Sequence, residues 1–345
     1  MRATLLHITE TLNTYMAKIR QYPKILVIQT AFIGDAILAS SVLESIYAQF
    51  PEANLNLLVR SGNDALYKNH PFLKRCWIWN KQKNKILHLI KLIVSIRKER
   101  FNAIINLHRH FSSGLISGFS KAEYICGFKQ NPCSFLFHYR VSHRLALGLH
   151  ETQRYSELLA EFEDCRYKKP KLYPDYNSLK LKNLNLQFKY VVIAPGSVWF
   201  TKQAPLKLWI ELCKKLVSNH TVFIIGAHSD SNICNAIAQS VPKCVNVVGQ
   251  LSLLDSAALM SGAVMNYVND SAPLHLCSAV NAPVTVFFCS TVKDFGFGPL
   301  SDVQFLIETH QLSCRPCGLH GYNACPKKHF KCGEDLLPYI QSISL

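Results

Sequence analysis

Three short stretches of this chain hold side chains able to do chemistry. They are Asp35, the group Ser197, Thr201 and Lys202, and the group Asp270, Ser271 and His275. Each follows a short apolar run with the length of a buried strand, namely Ile25 to Ile28, Tyr190 to Ala194 and Val264 to Val268. Asp35 falls where the loop from Gln29 to Gly34 turns into a segment whose apolar positions Ile37, Leu38, Val42, Ile46 and Phe50 recur at helical spacing. There a carboxylate can cap free backbone N–H groups. It can equally face the crevice at the carboxyl ends of the strands, where open α/β sheets bind ligands. In the loop APGSVWFTKQAP, Lys202 supplies a point charge suited to a phosphate. In NDSAPLH, Asp270 and Ser271 stand at a helix start with His275 one turn in. A hydroxyl with free N–H groups makes an anion site, and the neighbouring acid suits a ribose or sugar hydroxyl. Taken singly, Lys202 reads as a solvated lysine and His275 as a core histidine. Taken together they describe a nucleotide-diphosphate site. There is no Walker or GxGxxG sequence, so P-loop and dehydrogenase readings are weak.

A second set of candidates is basic. The strand Ala103 to Leu107 delivers His108, Arg109 and His110 to its carboxyl end, and Arg140 and Arg144 follow in a stretch that also holds His143, His150 and Arg154. Lys81 to Arg100 reads as a basic amphipathic helix with Ile86, Leu89, Ile90, Ile93 and Ile96 on one side. A charge run of this kind is usually a solvated face, and here it can also meet an anionic surface.

The elements that must position these residues alternate strand and helix twice over. The first half runs through strands at Asn54 to Val59, Trp77 to Trp79 and Tyr124 to Phe128. The pattern is lost over 166–187 and then restarts. The second half has strands at Thr221 to Ile225, Asn246 to Val248 and Val284 to Phe288, and a helix over Pro205 to Val217 with proline at its start. The fold class is therefore α/β, with two Rossmann-like doubly wound domains facing across a cleft. The expected domains are 23–175 and 185–345, the latter ending in a Cys-rich tail over 314–332. Residues 1–22 form an extension in which Leu5, Ile8, Leu12, Tyr15 and Ile19 mark one face of a helix.

Composition narrows the classes further. The 345 residues are 49% apolar and carry a formal net charge of +16, which implies a globular chain with an anionic partner. Nucleic acid, an anionic membrane surface and a phosphorylated substrate each supply that charge. No zinc finger, helix-turn-helix or RNP-like motif is present, which argues against nucleic acid. No apolar run reaches the roughly 18–20 residues that span a bilayer, and no secretory signal precedes the first strand, so a soluble intracellular chain is expected. Of the 13 cysteines, Cys314, Cys317, Cys325 and Cys332 crowd together with His320 and His329 between them. Four thiolates in a short span have the character of a structural zinc or iron site, and in a reducing compartment a metal is favoured over disulfides.

The segments IGDAILASSVLESIYAQFPEANLNLLV, APGSVWFTKQAPLKLW and VNDSAPLHLCSAVNAPVTVFF resemble, in order and spacing, the signature regions of glycosyltransferase family 9, the lipopolysaccharide heptosyltransferases. STVKDFGFGPLS and the Cys-rich C-terminus also look like members annotated heptosyltransferase II-like. The resemblance runs from Lys24 to the C-terminus and implies a GT-B fold. It implies an ADP-L-glycero-D-manno-heptose donor on the C-terminal domain and an inner-core sugar of lipid A on the N-terminal domain. Carried over by position, Asp35 matches the catalytic base, Lys202 the lysine on the donor diphosphate, and Ser197 a hydroxyl near the phosphates. Asp270, Ser271 and His275 match the donor-binding region, where Ala272 stands in place of the usual glycine. Val198 likewise replaces a residue that is often polar. No cofactor is implied for catalysis, although related protein-modifying heptosyltransferases carry a metal-holding cysteine cluster. No DxD-like carboxylate pair appears in the motifs, which fits a metal-independent inverting transfer. The expectation is a peripheral enzyme on the cytoplasmic face of a bacterial inner membrane. The alternatives are sugar transfer to a protein acceptor and a nucleotide-sugar-binding protein without turnover.

Overall fold

The computed structural model describes residues 23–343, apart from 82, 83, 146, 147, 163, 164 and 311. The helix expected over 1–22 lies outside the described residues. The chain divides into two compact units, and residues 145–150 group with the second, which otherwise begins at Lys171.

Unit 1 contains β1 (Lys24–Gln29), α1 (Ile33–Gln49), β2 (Asn54–Arg60), β3 (Leu73–Trp79), α2 (Lys85–Glu99), β4 (Ala103–Asn106), α3 (Phe111–Gly118), β5 (Tyr124–Phe128), β6 (Tyr139–Val141) and α4 (Glu151–Glu157). Its strands form one sheet in the order β3-β2-β1-β4-β5-β6, and every pairing is parallel. All four residues of β4 and all five of β5 are buried, which is why these strands read as unbroken apolar runs. Of the five apolar residues expected on one side of α2, Leu89, Ile93 and Ile96 turn to the sheet, joined by Leu92. Ile86 and Ile90 instead point to solvent.

Unit 2 contains α5 (Leu179–Lys182), β7 (Tyr190–Ala194), α6 (Leu206–Leu216), β8 (Thr221–Ile224), α7 (Ser231–Ser240), β9 (Val245–Asn246), α8 (Leu253–Ser261), β10 (Met265–Asn269), α9 (Ala272–Ala279), β11 (Val284–Phe288), β12 (Gln304–Glu308), α10 (Lys331–Glu334) and α11 (Tyr339–Ser342). The sheet order β12-β11-β10-β7-β8-β9 repeats that of unit 1, again all parallel. Pro205 is the residue before α6 and not its first turn. Trp209 on α6 stacks edge-on against Phe287 of β11 in the core, which Cys332, Leu336 and Ile340 close from the C-terminal end.

In each unit the first strand lies between the second and fourth, so the connections after the first and fourth strands leave the sheet in opposite directions. Ligands of doubly wound sheets bind at such a switch point. Asp35 and Arg109 follow β1 and β4; Lys202 and Asp270 follow β7 and β10.

Candidate active site

In unit 1, Asp35 occupies the first turn of α1. The residue before that helix is Phe32, whose side chain makes no capping bond. The carboxylate fills the gap, because the N–H groups of Phe32 and of Asp35 itself favour its charged form. Burial opposes them most strongly, the negative charge of Glu151 adds to it, and Arg109 pulls the other way. The net effect raises the Asp35 carboxyl from its ordinary value to about 6. Capping and facing the ligand crevice are thus compatible roles for one side chain.

The neighbours of Asp35 are held by a buried polar chain. Arg109 Nη1 donates to His143 Nδ1 at 3.2 Å. A guanidinium only donates, so Nδ1 accepts and Nε2 is left to bond the Glu151 carboxylate at 2.9 Å. Arg154, itself buried, donates to the same carboxylate at 2.8 Å and to the Arg144 carbonyl at 2.8 Å. Burial pushes Glu151 up, but the His143 bond and then Arg154 outweigh it and hold the carboxyl below its usual range. Tyr155 on the same helix receives a hydrogen bond from Gln29 at the end of β1, at 2.9 Å, and α4 packs along α1.

The other basic candidates separate. His108 is buried against Thr30, with Oγ1 and Nδ1 2.9 Å apart, and burial lowers it to about 3, so it stays neutral. His110 is exposed with its ring 4.4 Å from that of His108. The Arg140 and Arg144 side chains are exposed. Arg109 has a side-chain bond into the Glu151 chain and a charge that acts on Asp35, whereas Arg144 meets that chain only through its backbone carbonyl.

In unit 2, Lys202 Nζ lies 2.7 Å from Asp270 Oδ2, and the Thr291 hydroxyl donates to that same oxygen at 2.6 Å. Thr201 is buried and accepts from Ser290 Oγ at 3.0 Å and from the Tyr322 N–H at 2.8 Å. Ser271 donates to the Gly196 carbonyl at 3.3 Å, bringing the β7 and β10 loops together, and Asn269 ties the same loops through the Pro195 carbonyl at 2.8 Å. Ala272 opens α9, followed by proline, and Ser197 is half-buried beside the exposed Val198. His275 is buried one turn into α9, its Nδ1 has no hydrogen-bond partner among the described residues, and burial lowers it to about 3. Ser290 and Thr291 open the segment STVKDFGFGPLS but no role is read for them there, and Glu151 gives no sign in the sequence, because each acts only through contacts made by folding.

The Cys-rich tail docks on these loops. Arg315 donates to the carbonyls of Cys289, Thr291 and Thr309 at 2.7, 2.7 and 2.8 Å and pairs with Glu308. Gly321, at φ +78°, lies so close that a Cβ there would come within 3.0 Å of Lys202 Cγ and of Thr201 Oγ1. The structural zinc or iron expected at Cys314, Cys317, Cys325 and Cys332 is not shown, although the sulfurs of Cys314, Cys317 and Cys325 all act on Cys332 and Cys314 Sγ lies 3.8 Å from His329 Nε2. The Cys317 thiol donates to the Cys314 carbonyl at 3.0 Å, and Cys332 is pushed up to about 12 by burial and the other sulfurs. Among the described residues no three His, Cys, Asp or Glu side chains are grouped to hold a metal ion.

A model of glycosyltransferase family 9 (heptosyltransferase) matches residues 89–324. The chain belongs to glycosyltransferase family 9. Like its family it is a glycosyltransferase, and its fold is GT-B. Among family 9 proteins, lipooligosaccharide heptosyltransferase 2 of Campylobacter jejuni is 26% identical over 323 residues, spanning 91% of this chain and 95% of its own. The solved ADP-heptose lps heptosyltransferase II of E. coli matches with a TM-score of 0.74 at 22% identity, over 92% of this chain and 99% of that one. E. coli heptosyltransferase WaaC, solved with ADP-2-deoxy-2-fluoro heptose, matches with a TM-score of 0.69 at 17% identity, over 92% and 99%.

Proposed function

We propose that this family 9 enzyme transfers a heptose from ADP-L-glycero-D-manno-heptose to the inner core of lipopolysaccharide, with inversion at the anomeric carbon. The observation that carries the reading is the Asp35 carboxyl, raised to about 6 at a switch point and therefore able both to exist as carboxylate at neutral pH and to take a proton. The names of the relatives support the substrates: one acts on lipooligosaccharide, and a solved structure holds an ADP-heptose analogue.

In this mechanism the acceptor hydroxyl attacks the anomeric carbon while its proton passes to Asp35. The bond from that carbon to the diphosphate oxygen breaks through an oxocarbenium-like state, and ADP leaves. Lys202, with the N–H groups at the start of α9, takes up the charge that develops on the leaving diphosphate. Asp270 keeps Lys202 aimed before the donor arrives and is itself placed for a ribose or sugar hydroxyl. Arg109 and the exposed Arg140 and Arg144 supply positive charge for a phosphorylated core sugar, which the buried, neutral His108 does not. The neutral His275 keeps one buried ring nitrogen unspent, a group a donor can satisfy. The acceptor is membrane-anchored, which places the enzyme on the cytoplasmic face of the inner membrane. The net charge of +16 supports that location, and no helix among the described residues is long and apolar enough to cross a membrane.

A thermal-shift screen with ADP, UDP, GDP, CMP and NAD tests the donor. ADP at 100 times its dissociation constant stabilises by about 2.7 kcal/mol, a rise of a few degrees. A response to ADP alone is expected. A response to UDP or GDP in its place would keep the glycosyltransferase and discard the heptose.

A further inference from the structure

α2 is apolar on two sides. Its inner stripe is accounted for by the sheet, where Leu92 and Ile96 are buried and Leu89 and Ile93 pack beside them. A surface helix is ordinarily polar on its remaining face. Here that face carries Ile86, Leu87, Ile90 and Val94, exposed by 72, 60, 52 and 47%. At 100° per residue they form one stripe, which the exposed Lys91 and Lys98 flank on one side and the exposed Arg97 continues at its C-terminal end. From Lys81 to Lys98 the sequence has no Asp or Glu.

The stripe does not stand alone. α3 packs against α2 and leads into Phe119, which is 52% exposed. The turn Ser134–Leu136 sits on α3, since a Cβ at Gly118 would come within 2.3 Å of Leu136 Cδ1, and it exposes Phe135 by 71%. Apolar side chains clustered in this way and rimmed by polar ones mark an interaction surface, unlike the singly scattered ones every protein has.

Charge decides what covers it. A second copy packing the same face on itself would set Lys91, Arg97 and Lys98 against their own symmetry mates, a like-charge arrangement that disfavours association. An anionic bilayer satisfies both halves of the pattern, taking the apolar stripe at the acyl boundary and the cations among its phosphates. We infer that α2 is a membrane-docking helix that lies in the plane of an anionic lipid surface with Ile86, Leu87, Ile90 and Val94 inserted. The inference deepens the membrane part of the reading above and is independent of the sugar transferred and of Asp35.

The test is co-sedimentation of the full chain with vesicles of phosphatidylglycerol and phosphatidylcholine, and with phosphatidylcholine alone. Binding to the anionic vesicles is expected, weakening as salt rises. The triple variant Ile86→Ser, Ile90→Ser, Val94→Ser should bind at least about tenfold less tightly, since it removes three aliphatic side chains from the inserted face. Its unfolding temperature should stay at or above that of the parent, because the three side chains face solvent. Lys91→Gln with Lys98→Gln should flatten the salt dependence. Unchanged binding by a folded triple variant would overturn the inference, as would indifference to lipid charge. A concentration-dependent dimer abolished by the triple variant would also overturn it, by giving the stripe to a second copy. Vesicle binding without heptose transfer would sink the functional reading and leave this one standing.

Discussion

The switch points of the two units are built on the same strand order and hold opposite kinds of site. In unit 1 a single carboxylate is surrounded by a buried hydrogen-bonded chain, and the nearest like charge, on Glu151, raises its proton affinity. In unit 2 the charges are already paired, Lys202 with Asp270 at 2.7 Å, and the buried histidine beside them stays neutral. The strand order fixes where the loops emerge; the residues in the loops, and what folding packs behind them, make one site a lone carboxylate and the other a paired lysine, and the proposed roles of base and anion site rest on that difference. In the proposed reaction the group that accepts a proton is thus kept from full neutralisation, and the group that holds the diphosphate is held in aim by a counter-charge that it can share.

The largest effect is expected from removing the base. Asp35→Asn should lower kcat by about 10²–10⁴-fold with the fold intact. Because the folded-state pKa of Asp35 is raised, its ionisation weakens the fold as pH rises through about 6. The Asn variant should therefore melt higher than the parent at pH 8, by about 2–4 °C per kcal/mol relieved, and no higher at pH 4. A variant that loses turnover and also melts lower at pH 8 would make Asp35 a structural cap and erase the contrast between the two sites.

A smaller loss should follow at the other switch point. Lys202→Ala removes the positive charge proposed to meet the leaving diphosphate and leaves Asp270 without its ion-pair partner. Turnover should fall by about 10²–10³-fold, and ADP binding in calorimetry should weaken. Normal ADP affinity in a folded Ala variant would mean that Lys202 serves only to neutralise Asp270.

Glu151→Gln sharpens the comparison most finely, because it touches neither substrate. It breaks a buried ion pair and should cost about 3 kcal/mol in urea unfolding at pH 7. The Glu151 carboxyl is held below its usual range, so its contribution is present at neutral pH and lost only as pH falls below that range, through the lowered value. Removing this negative charge should also move the acid limb of activity to lower pH, by up to about one unit. A loss of stability with no movement of the limb would confine Glu151 to the fold.

Much of this was legible from residue order. The bounds of β5, β7 and β11 match the apolar runs to the residue, since strands buried on both faces leave unbroken hydrophobic stretches. The edge strands β6 and β12 are partly exposed and give no such run. Ile86 and Ile90 share the helical spacing of the core-facing residues, and only packing reveals that the helix is apolar on two sides. Asp35, Lys202 and Asp270 stand out because each follows a strand. Their supports do not: Gln29 meets Tyr155 across 126 residues, and Thr291 reaches Asp270 from another strand end. The four clustered cysteines and two histidines of the tail give no sign that it anchors through Arg315 and Gly321 on the loops after β7 and β11.

The most direct test of the contrast is the pH dependence of kcat/KM for heptose transfer by the full chain between pH 4.5 and 9. The rate should rise with pH through an inflection near 6, where Asp35 loses its proton, and the inflection should be absent from the residual activity of Asp35→Asn. A rise through the same inflection in a folded, nearly fully active Asn variant would contradict the account and move the base elsewhere.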